Sequence, residues 1–403
     1  MVQLGTRGVV YRGGTSRALL VRAEDLPTRN KGELEQWLLA VYGSPDARQI
    51  DGVGGADVLT SKFGYVGASS RPDADVDYTF AQIGIDEPMV DWSIMCGNVL
   101  SSIAPYAIDE GLVPAVEPVT VVRVHNTNTG KVIVARVEVS GGRPKTAGTT
   151  HIDGVPGTGS PILLDFKDAA GAKTGKLLPT GNRRDQAHVP GVGLVEYSVV
   201  DIAGMQVFVS AKDFGLTGSE DPAEIEKIPE VGRKLEFLRG KVAVDLGFAT
   251  SIETAWDESP MTPFSIVVGA PMDWRLYGSN EPRPADSCDL AARCVFNGQV
   301  HKAFPGTGAV PVAVAAALEG TVVHDIVRPE AGDSGIYRVG HPGGTLSVEV
   351  ELSESGSRVD VVRASLIRTA RRIFEGTVFA EPSRLPWAGE QSHVVNESGH
   401  HAQ

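Results

Sequence analysis

Cysteine is scarce, with three residues in 403. No CxxC pair and no zinc-type histidine spacing accompanies Cys96, Cys288 or Cys294, so they read as reduced thiols, which excludes a disulfide frame and a thiolate metal site. Cys288 and Cys294 read as packing residues. Basic charge is also short: 37 Lys and Arg stand against 50 Asp and Glu, for a formal charge of −13. That balance repels nucleic acid and anionic membrane, and no basic stripe or RNA-binding aromatic motif offsets it. A small anionic substrate is still compatible, provided that arginines, lysines and helix ends gather in one place. No apolar run approaches the roughly 18 residues a membrane span requires, and the opening MVQLGTRGVVYRGG has no continuous apolar core of the secretory kind. A cytoplasmic protein is expected. The Walker pattern and a GxGxxG turn leading into a helix are missing as well, which removes the common nucleotide-binding readings.

What is present is 42% apolar residues, enough for two domains with separate cores. Short β-branched runs between Gly, Pro, Asn and Asp dominate, among them RGVVYRGG, TVVRVHNTNTGKVIVARVEV and TLSVEVELSESGSRVDVVRASLI, and they predict a strand-rich chain with hairpins. Helices are expected near residues 31–42 and 222–239. Two further segments, CGNVLSSIAPYAIDEGLV at 96–113 and PGTGAVPVAVAAALEGTV at 305–322, superpose without a gap, matching Gly97 with Gly306, Ala104 with Ala313 and Glu110 with Glu319. Each opens on a glycine turn and continues with small apolar residues on every side. A helix apolar all round has to be enclosed, so the pair predicts an internal duplication, with one central helix inside each of two sheets. The Pro- and Gly-rich stretch 177–193 is read as the crossing between halves, with a boundary near residue 185. The ending ESGHHAQ reads as a polar tail, its paired histidines included.

A glycine turn at the start of a buried helix offers free backbone N–H groups and the positive end of the helix dipole, which together suit a carboxylate. Two such turns, one per half, would grip a dianion. The first, MCGN, also sets the Cys96 thiol at that positive end, where thiols become reactive. The second has Pro305 at the matching place, so only one half offers sulfur. A two-base racemase usually needs a matched pair of thiols, whereas a 1,3 proton shift needs one base and one acid on a single face. Ahead of the first helix, YRGGTSRALL carries Arg12, Thr15 and Ser16 on a tight turn suited to carboxylate oxygens. DGVGGADVLTSKF is apolar and glycine-rich with one basic residue, Lys62.

Taken together, RGGTS at 12–16, GVGGADVLTSK at 52–62, MCGN at 95–98, PTGN at 179–182, SAKDFGLTG at 210–218, HKAFPGTGAV at 301–310, HPGGT at 341–345 and RTARRIFEG at 368–376 resemble the PrpF family over about residues 5–382. The resemblance implies an α+β, diaminopimelate epimerase-like fold: two similar domains, each a barrel-like β-sheet wrapped around a central helix, with the active site in the cleft. The domains are placed at 1–185, completed by about 375–390, and at 186–374, with a disordered tail over 391–403. By the same resemblance Lys62 and Cys96 are the catalytic pair. Arg12, Thr15, Ser16, Ser61, Gly97, Asn98, Gly306, Thr307, His341, Gly344 and Thr345 are placed around the substrate. Arg17, Ile94, Met95 and Pro305 depart from the family's usual residues beside the expected pocket, so substrate identity does not carry over.

The activity implied is a 1,3-allylic proton shift in a small unsaturated di- or tricarboxylate such as aconitate, methylitaconate or oxalomesaconate, without a cofactor or metal. In that scheme neutral Lys62 takes the proton and Cys96 acts as acid or polarises the substrate; the sequence leaves open which of the two removes it. Two alternatives stand beside it. One is an epimerase of the same fold, disfavoured by the missing second thiol, and the other is a non-enzymatic accessory to an aconitase-type iron–sulfur dehydratase. A homodimer is the family's habit, and neither nucleic acid nor membrane is expected as a partner.

Overall fold

A computed structural model describes residues 3–92, 95–260, 262–296, 299–356 and 358–387; Ile94 and the expected tail at 391–403 lie outside the described residues. The chain divides into two compact units. One holds the residues up to Thr150, Gly157–Ile162 and those from Arg368 onward; the other holds His151–Pro156 and Leu163–Ile367.

In the first unit Leu4–Gly13 (β1) and Ser16–Arg22 (β2) form an antiparallel hairpin. β2 runs parallel to Lys62–Ala68 (β3), which pairs antiparallel with Val76–Ile83 (β4). β4 is parallel to Val119–Asn126 (β5), and β5 is antiparallel to Lys131–Ser140 (β6). Parallel neighbours cannot be joined by a tight turn, so each parallel step needs a crossover. A helix fills both: Lys31–Tyr42 (α1) before β3, and Gly97–Asp109 (α2) before β5. The strand Ala370–Ala380 comes back from the far end of the chain to pair with β1.

The second unit repeats this order. Gly193–Ile202 (β7) is antiparallel to Gly204–Ser210 (β8), β8 is parallel to Phe264–Gly269 (β9), and β9 is antiparallel to Leu290–Phe296 (β10). β10 then runs parallel to Ile336–His341 (β11), which is antiparallel to Gly344–Ser355 (β12); β12 also pairs with Arg358–Arg368 (β13). Pro222–Glu226 (α3) and Pro229–Asp245 (α4) fill the first crossover, and Ala309–Ala317 (α5) the second. The same alternation of pairings, with a helix at each crossover, extends the duplication from two helices to a whole unit. This is the α+β organisation expected from the sequence.

The two central helices are enclosed as their composition requires. Gly97 and every residue from Val99 to Ile108 are buried in α2, as are Ala309 to Ala316 in α5. Small side chains let the surrounding strands approach closely. α5 is shorter than expected, however. A 3-10 turn at Gly306–Gly308 precedes it, and it stops at Leu318, whose ψ of 105° is extended. There Thr321 Oγ1 donates to the Ala315 carbonyl at 2.6 Å, taking over one of the carbonyls a longer helix would use.

The helix expected at 222–239 is broken before Pro229, because proline pushes the preceding residue out of the helical region; Ile228 has ψ 75°. The stretch 177–193 is not a crossing but part of the second unit. Arg184 there binds Glu196 and Asp325, and Asp185–Val189 pairs with β7. Proline and glycine mark turns inside a domain as readily as between domains. Among the described residues no helix is long and apolar enough to cross a membrane.

Candidate active site

The first unit gathers RGGTS, MCGN and the start of RTARRIFEG, which the chain keeps far apart. Gly13 pairs with Ser16 across a two-residue turn, Gly14–Thr15, and Gly14 takes φ +52°, a conformation open to glycine. The turn lies directly against the start of α2: a Cβ on Gly13 would stand 2.4 Å from the Asn98 carbonyl oxygen, and one on Gly14 2.2 Å from Asn98 Oδ1. Asn98 Nδ2 donates to Thr15 Oγ1 at 3.0 Å, and Arg368 Nε donates to Asn98 Oδ1 at 3.2 Å. The Gly14 N–H donates to the Thr369 carbonyl at 2.9 Å. Arg12 clamps the same turn, its Nη1 donating to Gly14 O, Thr369 O and Thr369 Oγ1 at 3.0, 2.9 and 3.1 Å. Gly14→Ala is therefore expected to cost about 1–3 kcal/mol for the left-handed backbone alone, with the Asn98 clash added, and to lower both the melting temperature and activity; a melt matching the unsubstituted protein would refute the packing argument.

Cys96 is the N-cap of α2. Its carbonyl accepts the first helical bond from Leu100 N–H at 2.9 Å, while its side chain makes no capping bond. The Gly97, Asn98 and Val99 amides therefore precede the first intrahelical donor, at the positive end of the helix dipole. Ser16 Oγ is buried, with no hydrogen-bond partner among the described residues. Arg368 is 4% exposed, and desolvation brings its guanidinium down to about 10, partly offset by negative charge on Cys96. Arg368→Met should lower the melting temperature, because it leaves Asn98 Oδ1 without this donor at a cost of about 1–3 kcal/mol. An unchanged melt would deny Arg368 a part in holding Asn98. Arg12 is lowered too, by desolvation first and then by Arg371.

Lys62 opens β3 and is 7% exposed, so it is no surface lysine. Its register places it beside Ala18 of β2 and opposite Gln82 of β4. Nζ donates to Gln82 Oε1 at 2.6 Å and lies 5.4 Å from the centre of the Phe80 ring. Tyr78, Phe80 and Gln82 alternate along β4 and so share one face. Tyr78 is fully buried, and desolvation, reinforced by charge on Cys96, pushes its hydroxyl well above the usual tyrosine range. One end of that strand face thus meets the Lys62 amine and the other feels Cys96. Ser61 is buried and donates to Gln49 Oε1 at 2.7 Å, a bond that ties down the loop before Lys62 and does not leave the hydroxyl aimed at a substrate.

The remaining expected residues lie in the second unit. Gly306 and Thr307 form the 3-10 turn before α5, where the Gly308 carbonyl accepts from Gln206 Nε2 at 3.0 Å. His341 is buried; its Nδ1 accepts from the Gly343 N–H at 3.0 Å, and its ring lies 6.0 Å from that of Phe304. The HPGGT loop differs from expectation in one respect. The N–H of Thr345, a residue placed around the substrate, donates to Asp153 Oδ2 at 2.6 Å, while Arg283 Nη2 donates to Asp153 Oδ1 at 3.2 Å. Gly344, at φ +135°, makes room for this, since a Cβ there would stand 2.4 Å from that of Asp153. The loop's anion is a side chain of its own unit. β9 opens on Phe264 where β3 opens on Lys62, so the second unit has no amine at the matching strand position, as it has Pro305 and not a thiol before its glycine turn. Cys288 and Cys294 are fully buried, and desolvation lifts their thiols to about 11 and 12, as packing residues.

Sequence reasoning missed Arg368, Gln82 and Tyr78. Arg368 was inside a quoted motif, but nothing distinguished it from Arg371 and Arg372. Gln82 and Tyr78 gave no signal beyond strand alternation.

The chain is similar over nearly its whole length to known proteins. The family profile described as PrpF protein matches residues 3–381. A 3-methylitaconate isomerase of Eubacterium barkeri is 43% identical over 377 residues, covering 94% of this chain and 97% of its own. A 4-oxalomesaconate tautomerase of Pseudomonas putida is 38% identical over 385 residues, covering 95% and 98%. A crystal structure of a methylitaconate-delta-isomerase superposes with a TM-score of 0.85 at 41% identity, over 100% of both chains. With the family profile spanning nearly its full length and relatives this similar end to end, the chain belongs to the PrpF family.

Proposed function

We propose that this protein is an isomerase of small unsaturated di- or tricarboxylates that moves a proton between the ends of an allyl system, with Lys62 as base and Cys96 as acid. The isomerase class rests on kinship with relatives named isomerases and tautomerases; the substrate class extends what those relatives' names say they act on. The observation that supports the residue roles is the buried Lys62 amine, held by Gln82 on the strand face it shares with Phe80, in the same unit as the thiol that caps α2.

In this reading a substrate carboxylate lies at the start of α2, where it meets the Gly97 and Asn98 amides, Ser16 Oγ and the donors of Arg12 that the turn does not use. Lys62 in its neutral form takes the allylic proton, and the electron pair spreads into a dienolate across the carboxylate-bearing double bond. The donors at the helix start stabilise the oxygen charge. Cys96 returns a proton to the far carbon, and the double bond ends one position along. The step is redox-neutral and balances with no cofactor.

The test is proton NMR in D2O with aconitate, methylitaconate and oxalomesaconate offered separately. Isomerisation of at least one, with deuterium at the migrated position, is expected. Binding without turnover of any would overturn the proposal in favour of an accessory protein.

A further inference from the structure

The amine of Lys62 is held by a neutral amide, and that choice has chemical content. Three carbonyls fix the orientation of the Gln82 side chain: its Nε2 donates to Ser61 O at 2.9 Å, to Val58 O at 3.2 Å and to Ile83 O at 3.4 Å. A flipped amide would set carbonyl against carbonyl and NH2 against the amine, so Oε1 must face Lys62 Nζ, which it meets at 2.6 Å. The same loop is tied from below. The Tyr42 hydroxyl donates to the Lys62 carbonyl, and Ser61 Oγ is held by Gln49.

We propose that Gln82 is the positioning residue for Lys62, aiming Nζ along the β4 face while leaving it free to give up its proton. This rests on the function proposed above. A neutral acceptor can take one N–H from either an ammonium or an amine and favours the ammonium far less than a carboxylate would, so Lys62 keeps its place in both states, with its lone pair directed elsewhere. A carboxylate at residue 82 would bind the ammonium far better than the amine and oppose its role as base. It would also face the Ser61, Val58 and Ile83 carbonyls with no hydrogen to give them. Among the described residues Nζ meets the Gln82 carbonyl oxygen and the Phe80 ring, neither of which carries formal charge.

Three variants separate charge from position. Gln82→Glu should move the acid limb of the kcat/KM profile upward by one pH unit or more, a loss of about tenfold or more at neutral pH that is recovered at high pH. Gln82→Asn keeps the amide but falls short by one methylene; its kcat should drop with the limb unmoved. KM should change little in either, because the Gln82 amide is engaged by Lys62 and by the Ser61, Val58 and Ile83 carbonyls. Gln82→Met, apolar and of similar length, is the form to use if the glutamate variant does not fold, and its kcat should fall with KM retained. A second readout needs no substrate: labelling of Lys62 by trinitrobenzenesulfonate, followed by peptide mass mapping across pH, should need a higher pH in Gln82→Glu. An unmoved limb and unmoved labelling in Gln82→Glu, or full kcat in Gln82→Met, would overturn the inference. Shifted labelling in a protein that isomerises no polycarboxylate would uphold the positioning of Lys62 and defeat the proposed function.

Discussion

Lys62→Met is expected to reduce isomerisation by about three orders of magnitude, the middle of the range for a general base, and to stop uptake of solvent deuterium into substrate. Methionine has nearly the length of the lysine stem and no charge, so it fits against Phe80 in a place that is already 7% exposed. Gln82 Oε1 loses its partner, at a cost of about 1–3 kcal/mol for an unsatisfied acceptor, while a buried amine is removed. The variant should therefore stay folded. Turnover and deuterium uptake followed together by proton NMR, beside a thermal melt, provide the check. Activity within tenfold of the unsubstituted protein, from a folded variant, would deny Lys62 the role of base.

Cys96 gives the second large effect, with stability and activity moving in opposite directions. Serine is among the preferred N-cap residues and cysteine is not; the Cys96 side chain makes no capping bond. Cys96→Ser should stabilise the fold by about 0.5–1 kcal/mol through a new cap to the α2 amides. The same change should cut turnover by about two to three orders of magnitude, since a hydroxyl is a far weaker acid than a thiol. Cys96→Ala should lose as much activity without the gain in melting temperature. Full activity in Cys96→Ala would leave the thiol without a role. Loss of activity in Cys96→Ala with deuterium uptake intact would place Cys96 after the first proton transfer.

Much of the site was legible because its parts announce themselves locally. A thiol before a glycine at the head of a helix with no polar face, or a lone lysine closing a glycine-rich loop, is unusual enough to stand out in the chain. The duplication was legible in the two small-residue helices for the same reason: a helix that is apolar on all sides has one destination. Partnerships were not legible. Thr345 was assigned to a substrate but binds Asp153, because an amide in a turn takes whichever carboxylate the fold brings near. The division between units fell at 150–163 and 367–368, away from the most turn-rich stretch, because turn residues report backbone geometry and not the number of contacts crossing a point.

The sequence by itself determined the pair of matching small-residue helices, their enclosure as α2 and α5, and the presence of one thiol at a helix start with no counterpart in the second half. These follow from side-chain volume, polarity and backbone freedom, which each residue carries wherever it is placed. Only the tertiary structure decided that Arg368 comes to rest on Asn98 beside Cys96, and that Gln82, opposite Lys62 across an antiparallel pair, is held by backbone carbonyls so that its oxygen faces the amine. Those pairings depend on strand register and on the return of the last strand to β1. Both are set by the packing of the whole unit, which no local stretch of sequence encodes.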